Sequence, residues 1–108
     1  MSDTLAQVQA LARRGSVRIS AHGYDELAEY DIFVEELLAG LDTAQVVEDY
    51  PAASHGPCVL VLQTGQNGHP IHVVWGIPRG RTEPATLVTA YRPDPSRWSS
   101  DFMRRKKP

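Results

Sequence analysis

The sequence predicts a single α+β domain in which N-terminal helices pack on a four-stranded antiparallel sheet. Two observations support this fold class. Before residue 40, apolar residues recur at three- and four-residue spacing, as in amphipathic helices, and after it short apolar and β-branched runs are separated by turns. A run of helices followed by a run of strands favours a sheet that helices cover on one face. The length of 108 residues fits one domain, placed at residues 1–98, with a basic C-terminal tail over residues 99–108.

Three helices are predicted, at residues 4–14, 21–30 and 33–39. Ser20 and Asp31 are typical capping residues for the second and third of them, because their side-chain oxygens accept backbone N–H groups. Gly15 and Gly40 stand where the first and third helix end, as glycine often does. Residues 17–19 are too few to show a period, and we predict an extended segment there.

Four strands are predicted at residues 45–50, 57–64, 69–76 and 85–91. Asn67-Gly68 is a strong hairpin signal, because both residues tolerate the positive φ of a tight turn. A loop over residues 78–81 separates the third strand from the fourth. The run over residues 58–62 is so apolar that we expect it at the centre of the sheet.

The formal net charge of −2 conceals an uneven distribution along the chain. Residues 1–54 hold three basic side chains against ten acidic ones, whereas residues 55–108 hold eight basic side chains against three acidic ones. An anionic partner is therefore expected on the side of the sheet and its loops. The alternative explanation is an acidic, solvated helical layer beside a basic tail.

Neither a metal site nor a cofactor is expected. The four histidines, at positions 22, 55, 69 and 72, form no His-x-x-x-His pair, and Cys58, the single cysteine, is interpreted as a small buried apolar residue. No Walker loop or dinucleotide-binding glycine motif occurs. No apolar run approaches the roughly 18 residues of a membrane helix, and no secretory leader is recognised, so we expect a cytoplasmic protein.

A set of polar side chains is predicted to surround one concave face of the sheet beside the second helix: His22, His72, Thr89 and Tyr91. Two imidazoles are sufficient to cleave RNA, one removing the 2′-hydroxyl proton and the other protonating the leaving 5′-oxygen. Hydroxyl donors stabilise the phosphate oxygens as charge develops. The expected phosphate ligands are Arg79, Arg81 and Arg92. The alternative interpretation of His72 is a core histidine with one structural hydrogen bond.

Several segments in the same order resemble the family called domain of unknown function 4258. They are Arg18–His22, Val46–Pro51, Pro70–Val74 and Val88–Asp94, with Leu27, Ile32, Gly40 and Trp98 between or after them. The resemblance covers about residues 17–98. This family is placed by analogy beside RelE/ParE-like toxins and barnase-like ribonucleases, which implies helices on a four-stranded antiparallel sheet and toxin-like members. It also implies that His22, His72, Thr89 and Tyr91 match the family's recurring polar positions.

The helix after His22 departs from the family's pattern, which usually carries arginines four and eight residues further on. Glu26 and Tyr30 occupy those positions here. Acidic side chains repel RNA, because affinity for nucleic acid depends mainly on phosphate neutralisation. Three functions therefore stay open: a toxin-like, metal-independent ribonuclease, a non-catalytic module of the same fold that binds an antitoxin-like protein, and a nucleic-acid binder that uses residues 104–107.

Overall fold

The computed structural model describes residues 2–107, so Met1 and Pro108 lie outside it. The helices are α1 (Asp3–Arg13), α2 (Ala21–Tyr30) and α3 (Val34–Ala39), followed by a 3₁₀ turn at Leu41–Thr43. The strands are β1 (Val17–Ile19), β2 (Gln45–Tyr50), β3 (Cys58–Thr64), β4 (Pro70–Gly76) and β5 (Ala85–Tyr91). The α+β class with N-terminal helices is thus confirmed. Between residues 2 and 107, no helix has the length and apolar character needed to cross a bilayer.

The sheet has five strands in the order β1-β5-β4-β3-β2, which corrects the predicted four-stranded antiparallel arrangement. The segment predicted only as extended is β1, which pairs in parallel with β5 from Val17 opposite Ala85 to Ile19 opposite Leu87. All other pairings are antiparallel. The three residues of β1 are too few to show an alternation of apolar and polar side chains, and the partner strand β5 is distant in the chain. Local sequence therefore could not reveal this pairing.

One face of the sheet forms the core with the helices. Its buried side chains include Val61, Val73 and Trp75, each fully removed from solvent, and α1 packs on β3, β4 and β5 above them. The buried amide of Gln63 links this face to α3: Trp75 Nε1–H donates to Gln63 Oε1 at 2.9 Å, and Gln63 Nε2–H donates to the Leu37 carbonyl at 2.8 Å. These bonds satisfy polar groups that would be costly to bury alone.

The opposite face of the sheet, called the far face here, is defined by residues that lie opposite one another in the antiparallel pairing. Residues directly opposite in a sheet share a face. One row contains Leu62, His72 and Tyr91, and the next contains Leu60, Val74 and Thr89. His72, Thr89 and Tyr91 therefore share a face, and the register shift of this strand pair lies beyond His72 on β4, between Val74 and Trp75.

Helix α2 packs on β5, where the lack of a side chain at Gly23 permits close approach. A Cβ at Gly23 would lie 2.9 Å from the Leu87 carbonyl oxygen and 3.0 Å from Leu87 Cδ2. Ser20 fixes the start of the helix, since its hydroxyl accepts from the Gly23 N–H at 2.9 Å and donates to the Val88 carbonyl at 2.9 Å. These contacts set the position of α2 beside the last strand.

We expect Gly23→Ala to lower the free energy of unfolding by about 1–2 kcal/mol. The closest contact is a backbone oxygen, which cannot move aside, so overpacking should cost about 2–3 kcal/mol, and the better helix propensity of alanine returns only about 1 kcal/mol. Urea unfolding measures the change. Ala28→Gly, at an exposed position of the same helix, is the control for propensity alone and should cost about 1 kcal/mol. A Gly23→Ala variant as stable as the wild type would contradict the close packing of α2.

Candidate functional site

Residues 94–107, called the C-terminal segment here, fold back and pack on the far face. Trp98 is buried to 4% exposure, and its ring lies edge-on to His72 with the ring centroids 4.4 Å apart. A bridge between Trp98 and Arg105 closes the segment, with Ser99 N–H donating to the Arg104 carbonyl and Lys106 N–H to the Arg97 carbonyl, both at 2.8 Å. The residues predicted as a basic tail therefore contact the sheet.

His72 lies beneath this segment and is fully buried. Its Nε2 is 2.8 Å from the Phe102 carbonyl oxygen, and its Nδ1 is 3.2 Å from the Tyr91 hydroxyl. A carbonyl only accepts, so Nε2 carries the proton and Nδ1 accepts from the Tyr91 O–H. Burial lowers the pKa of His72, which keeps the ring neutral. Both ring nitrogens are thus hydrogen-bonded within the protein, which agrees with the alternative interpretation of His72 as a core histidine.

The buried His72 makes the stability of the protein depend on pH. Its pKa lies below the ordinary value of 6.5 in the folded state, so the unfolded chain takes up the proton first as pH falls. We therefore expect the free energy of unfolding to decrease from about pH 6.5 downward. The lowered pKa of Glu48 causes a separate loss below its ordinary value of 4.5. Urea unfolding at several pH values checks this. His72→Gln should lack the loss above pH 4.5, and an equal loss in that variant would contradict the assignment.

Arg105 connects the C-terminal segment to β2. Its guanidinium lies over the Trp98 ring at 4.7 Å from the centroid. Its Nε–H donates to Glu48 Oε2 at 2.9 Å and its Nη2–H to Glu48 Oε1 at 3.0 Å. The two bonds lower the pKa of Glu48 and raise that of Arg105. Glu48 also accepts from the Tyr50 hydroxyl, so the carboxylate is held from both sides.

A groove of about 670 Å³ lies between the C-terminal segment and the end of β5, and we call it the basic groove. Five of its lining side chains are cationic: Arg92, Arg97, Arg105, Lys106 and Lys107. Among residues 2–107 its one lining carboxylate is Asp94, which already accepts from the backbone N–H and the hydroxyl of Ser96, both at 2.8 Å. Tyr30 and Tyr91 also line it. The groove therefore suits an anionic ligand.

Arg92 has an unfilled hydrogen-bonding requirement in this groove. Its Nε–H donates to the Tyr30 carbonyl at 3.3 Å, which fixes the guanidinium against the end of α2. Its Nη1 is buried and has no hydrogen-bond partner among residues 2–107. An unpaired buried donor of this kind costs about 1–3 kcal/mol. Because Nη1 is enclosed by protein atoms, a phosphate in the groove could pair with it only after the guanidinium turns.

The structure brings together only part of the predicted catalytic set. Tyr91 lines the basic groove, whereas His72 is buried behind it and Thr89 lies half-buried in the next row of the far face. The side chain of His22 is 64% exposed on α2, does not line the groove, and has its Nε2 3.1 Å from Glu26 Oε1. The arrangement of two histidines about one open site is therefore absent from the described structure.

The three arginines predicted as phosphate ligands do not all lie at the same site. Arg92 lines the basic groove, whereas Arg79 and Arg81 lie in the loop between β4 and β5 and do not line it. Arg79 instead approaches the Ser54 carbonyl at 3.5 Å. Residues 104–107 were predicted from the sequence as one candidate nucleic-acid-binding cluster, but nothing in the sequence joined them to Arg92. Within the described range, no cluster of three or more His, Cys, Asp or Glu side chains is placed to hold a metal.

Comparison with known proteins identifies one family. A family model described as a domain of unknown function (DUF4258) matches residues 19–92, which is more than half of the chain. No curated protein and no solved structure matches, so the likeness to RelE/ParE-like toxins and barnase-like ribonucleases stays a prediction. The match includes Glu48, His72, Tyr91 and Arg92, whereas the C-terminal segment follows it. The chain belongs to the DUF4258 family.

Proposed function

We propose that the protein binds single-stranded RNA, with phosphates lying in the basic groove. The main support is that five cationic side chains, all of them after β5 in the chain, line one concave surface. Among the described residues, Asp94 is the one carboxylate in that lining. Phosphate neutralisation by such side chains supplies most of the affinity of proteins for nucleic acids. The volume of about 670 Å³ lies in the range of specific ligand sites.

The two tyrosines favour a single strand over a duplex. Tyr30 and Tyr91 line the groove among the cationic side chains, and aromatic rings stack on bases only where those bases are unpaired. Arg92 directly follows Tyr91 and also lines the groove, and guanidinium N–H groups donate charge-assisted hydrogen bonds to phosphate oxygens. Stacking and a charged hydrogen bond are thus available within one groove.

The acidic side chains of α2 are expected from the sequence to repel RNA, but none of them lines the basic groove. Glu26 is turned toward His22, and Tyr30 is the α2 residue that lines the basic groove. The position at which the family usually has its second arginine therefore contributes an aromatic ring to the site. The cations come from the end of β5 and from the C-terminal segment instead.

Fluorescence anisotropy of a labelled 12-nucleotide RNA tests the proposal. We expect binding that weakens with salt, with a log–log slope of about −0.7 for each contacted phosphate, and about −3 if four are contacted. A blunt RNA duplex of the same length should compete poorly. Affinity that does not change with salt, or equal binding of the duplex, would contradict a single-stranded ligand in this groove.

RNA cleavage is a second candidate function, and the contact between Tyr91 and His72 favours it. Tyr91 lines the groove and donates to His72 Nδ1. A 2′-hydroxyl could give its proton to Tyr91 Oη while the Tyr91 proton passes to His72 Nδ1, which frees the 2′-oxygen to attack the phosphate. The P–O5′ bond then breaks to leave a 2′,3′-cyclic phosphate, and the leaving 5′-oxygen takes its proton from water in the open groove. The lowered pKa of His72 makes it a weak proton acceptor, so we expect slow cleavage.

Incubating the protein with RNA in chelator distinguishes the catalytic schemes. Loss of cleavage in Tyr91→Phe but not in His22→Ala would support the pair described here. Loss in His22→Ala would support two histidines acting as acid and base. RNA that binds without being cut supports binding alone. Interaction with an antitoxin-like protein, and a cytoplasmic location, stay predictions.

A further inference from the structure

We propose that Glu48, a carboxylate outside the basic groove, is a positioning residue that strengthens the binding of RNA; the inference rests on the proposed function. An acidic side chain near a polyanion site normally weakens binding through charge repulsion. Glu48 is expected to have the opposite effect, because it holds the C-terminal segment in the place where the groove forms.

The basic groove consists of two parts that meet only when the C-terminal segment is docked. The ends of α2 and β5 supply Tyr30, Tyr91 and Arg92. The segment supplies Arg97 and residues 105–107. A ligand that touches both parts binds the docked state alone, so its apparent affinity falls in proportion to the docked fraction.

Three contacts hold the segment on the sheet. Trp98 packs against His72, the Phe102 carbonyl accepts from His72 Nε2, and Arg105 pairs with Glu48. The ion pair joins β2 to the end of the segment through two parallel hydrogen bonds, a geometry that makes arginine–carboxylate pairs strong and directional. Without Glu48, the position of Arg105 over the Trp98 ring loses its fixed charge partner.

The same pair orients Arg105 for a ligand. Glu48 uses the Nε and Nη2 edge of the guanidinium, which leaves the N–H groups of Nη1 for a phosphate. Arg105 also lines the groove. The carboxylate thus organises one of the cations on which the groove depends while it lies outside the lining itself.

Glu48→Gln in the full chain gives the decisive comparison, with the labelled 12-nucleotide RNA as probe. We expect its affinity to fall about two- to fivefold, as the docked fraction drops. Asp49→Asn removes the same charge from the next residue of β2, which is exposed, and should leave the affinity unchanged or slightly increased. Glu48→Ala, which cannot accept from Arg105 at all, should lose at least as much as Glu48→Gln.

A second readout follows docking without RNA. Trypsin should cut after Arg97 and Arg104 faster in Glu48→Gln than in wild type, and RNA should slow the cut in both. In an Arg105→Ala background, Glu48→Gln should no longer weaken binding, because its effect passes through Arg105. If wild type binds RNA but both Glu48 variants bind equally or more tightly, the positioning role is wrong. If wild type binds no RNA, the proposed function fails, and this inference fails with it.

Discussion

Replacing Trp98 with alanine is expected to release the C-terminal segment from the sheet and to weaken RNA binding more than tenfold. Truncating a buried tryptophan costs about 3–5 kcal/mol, and Trp98 is 4% exposed. The other two contacts described above, the pairing of Arg105 with Glu48 and the hydrogen bond from His72 to the Phe102 carbonyl, are each worth only about 1 kcal/mol. They cannot offset the loss. The helix-facing core does not include Trp98, so the rest of the domain should stay folded.

Three measurements together check the release of the segment in Trp98→Ala. Trypsin cleavage after Arg104 should accelerate, far-UV circular dichroism should stay near wild type, and the pKa of His72 followed by NMR should rise toward 6.5 as the ring gains water. Tyr24→Ala, which removes an aromatic ring that is 59% exposed on α2, is the control and should change none of them. Unchanged proteolysis and an unchanged His72 pKa in Trp98→Ala would contradict the docked arrangement.

The second large effect is expected from removing two cations of the basic groove. Arg97→Ala combined with Lys106→Ala should weaken RNA binding about 10- to 100-fold at 0.1 M salt, since each charge-assisted phosphate contact contributes on the order of 1 kcal/mol or more. The log–log salt slope should become shallower by about 1.4, or about 0.7 for each lost contact with a single strand. Neither residue takes part in the pairing of Arg105 with Glu48.

The loop between β4 and β5 provides a matched control for that double variant. Arg79→Ala combined with Arg81→Ala removes the same charge from side chains that do not line the groove. We expect less than about a threefold change and an unaltered salt slope. Equal losses in the two double variants would show that net charge, rather than the basic groove, determines the affinity.

The helices could be predicted because their signals are local. The spacing of Leu5, Val8 and Leu11 places all three on the buried side of α1, and Ser20 caps α2 as expected. Strand β1 was predicted only as an extended segment, because its pairing with β5 joins segments far apart in the chain. A three-residue strand has no period of its own, so only the tertiary structure identifies it.

The site was predictable only in part for a related reason. Strand alternation placed Thr89 and Tyr91 on one face, and the pairing of β4 with β5 puts His72 opposite Tyr91 on that same face. It could not indicate what covers the face. Trp98 and Phe102 cover it, and their contacts with His72 place the terminal cations beside Arg92. Both residues lie beyond the last strand, where alternation gives no information. His22 does not line the basic groove, and its position in the sequence could not show this.

NMR mapping shows, residue by residue, whether RNA binds in the basic groove. The 12-nucleotide RNA is titrated into the ¹⁵N-labelled full chain, and backbone amide shifts are followed. If RNA binds there, we expect the largest shifts at residues 92–98 and 104–107, with smaller ones near Tyr30. Shifts concentrated at residues 78–81 or around His22, or no shifts at saturating RNA, would contradict binding in this groove.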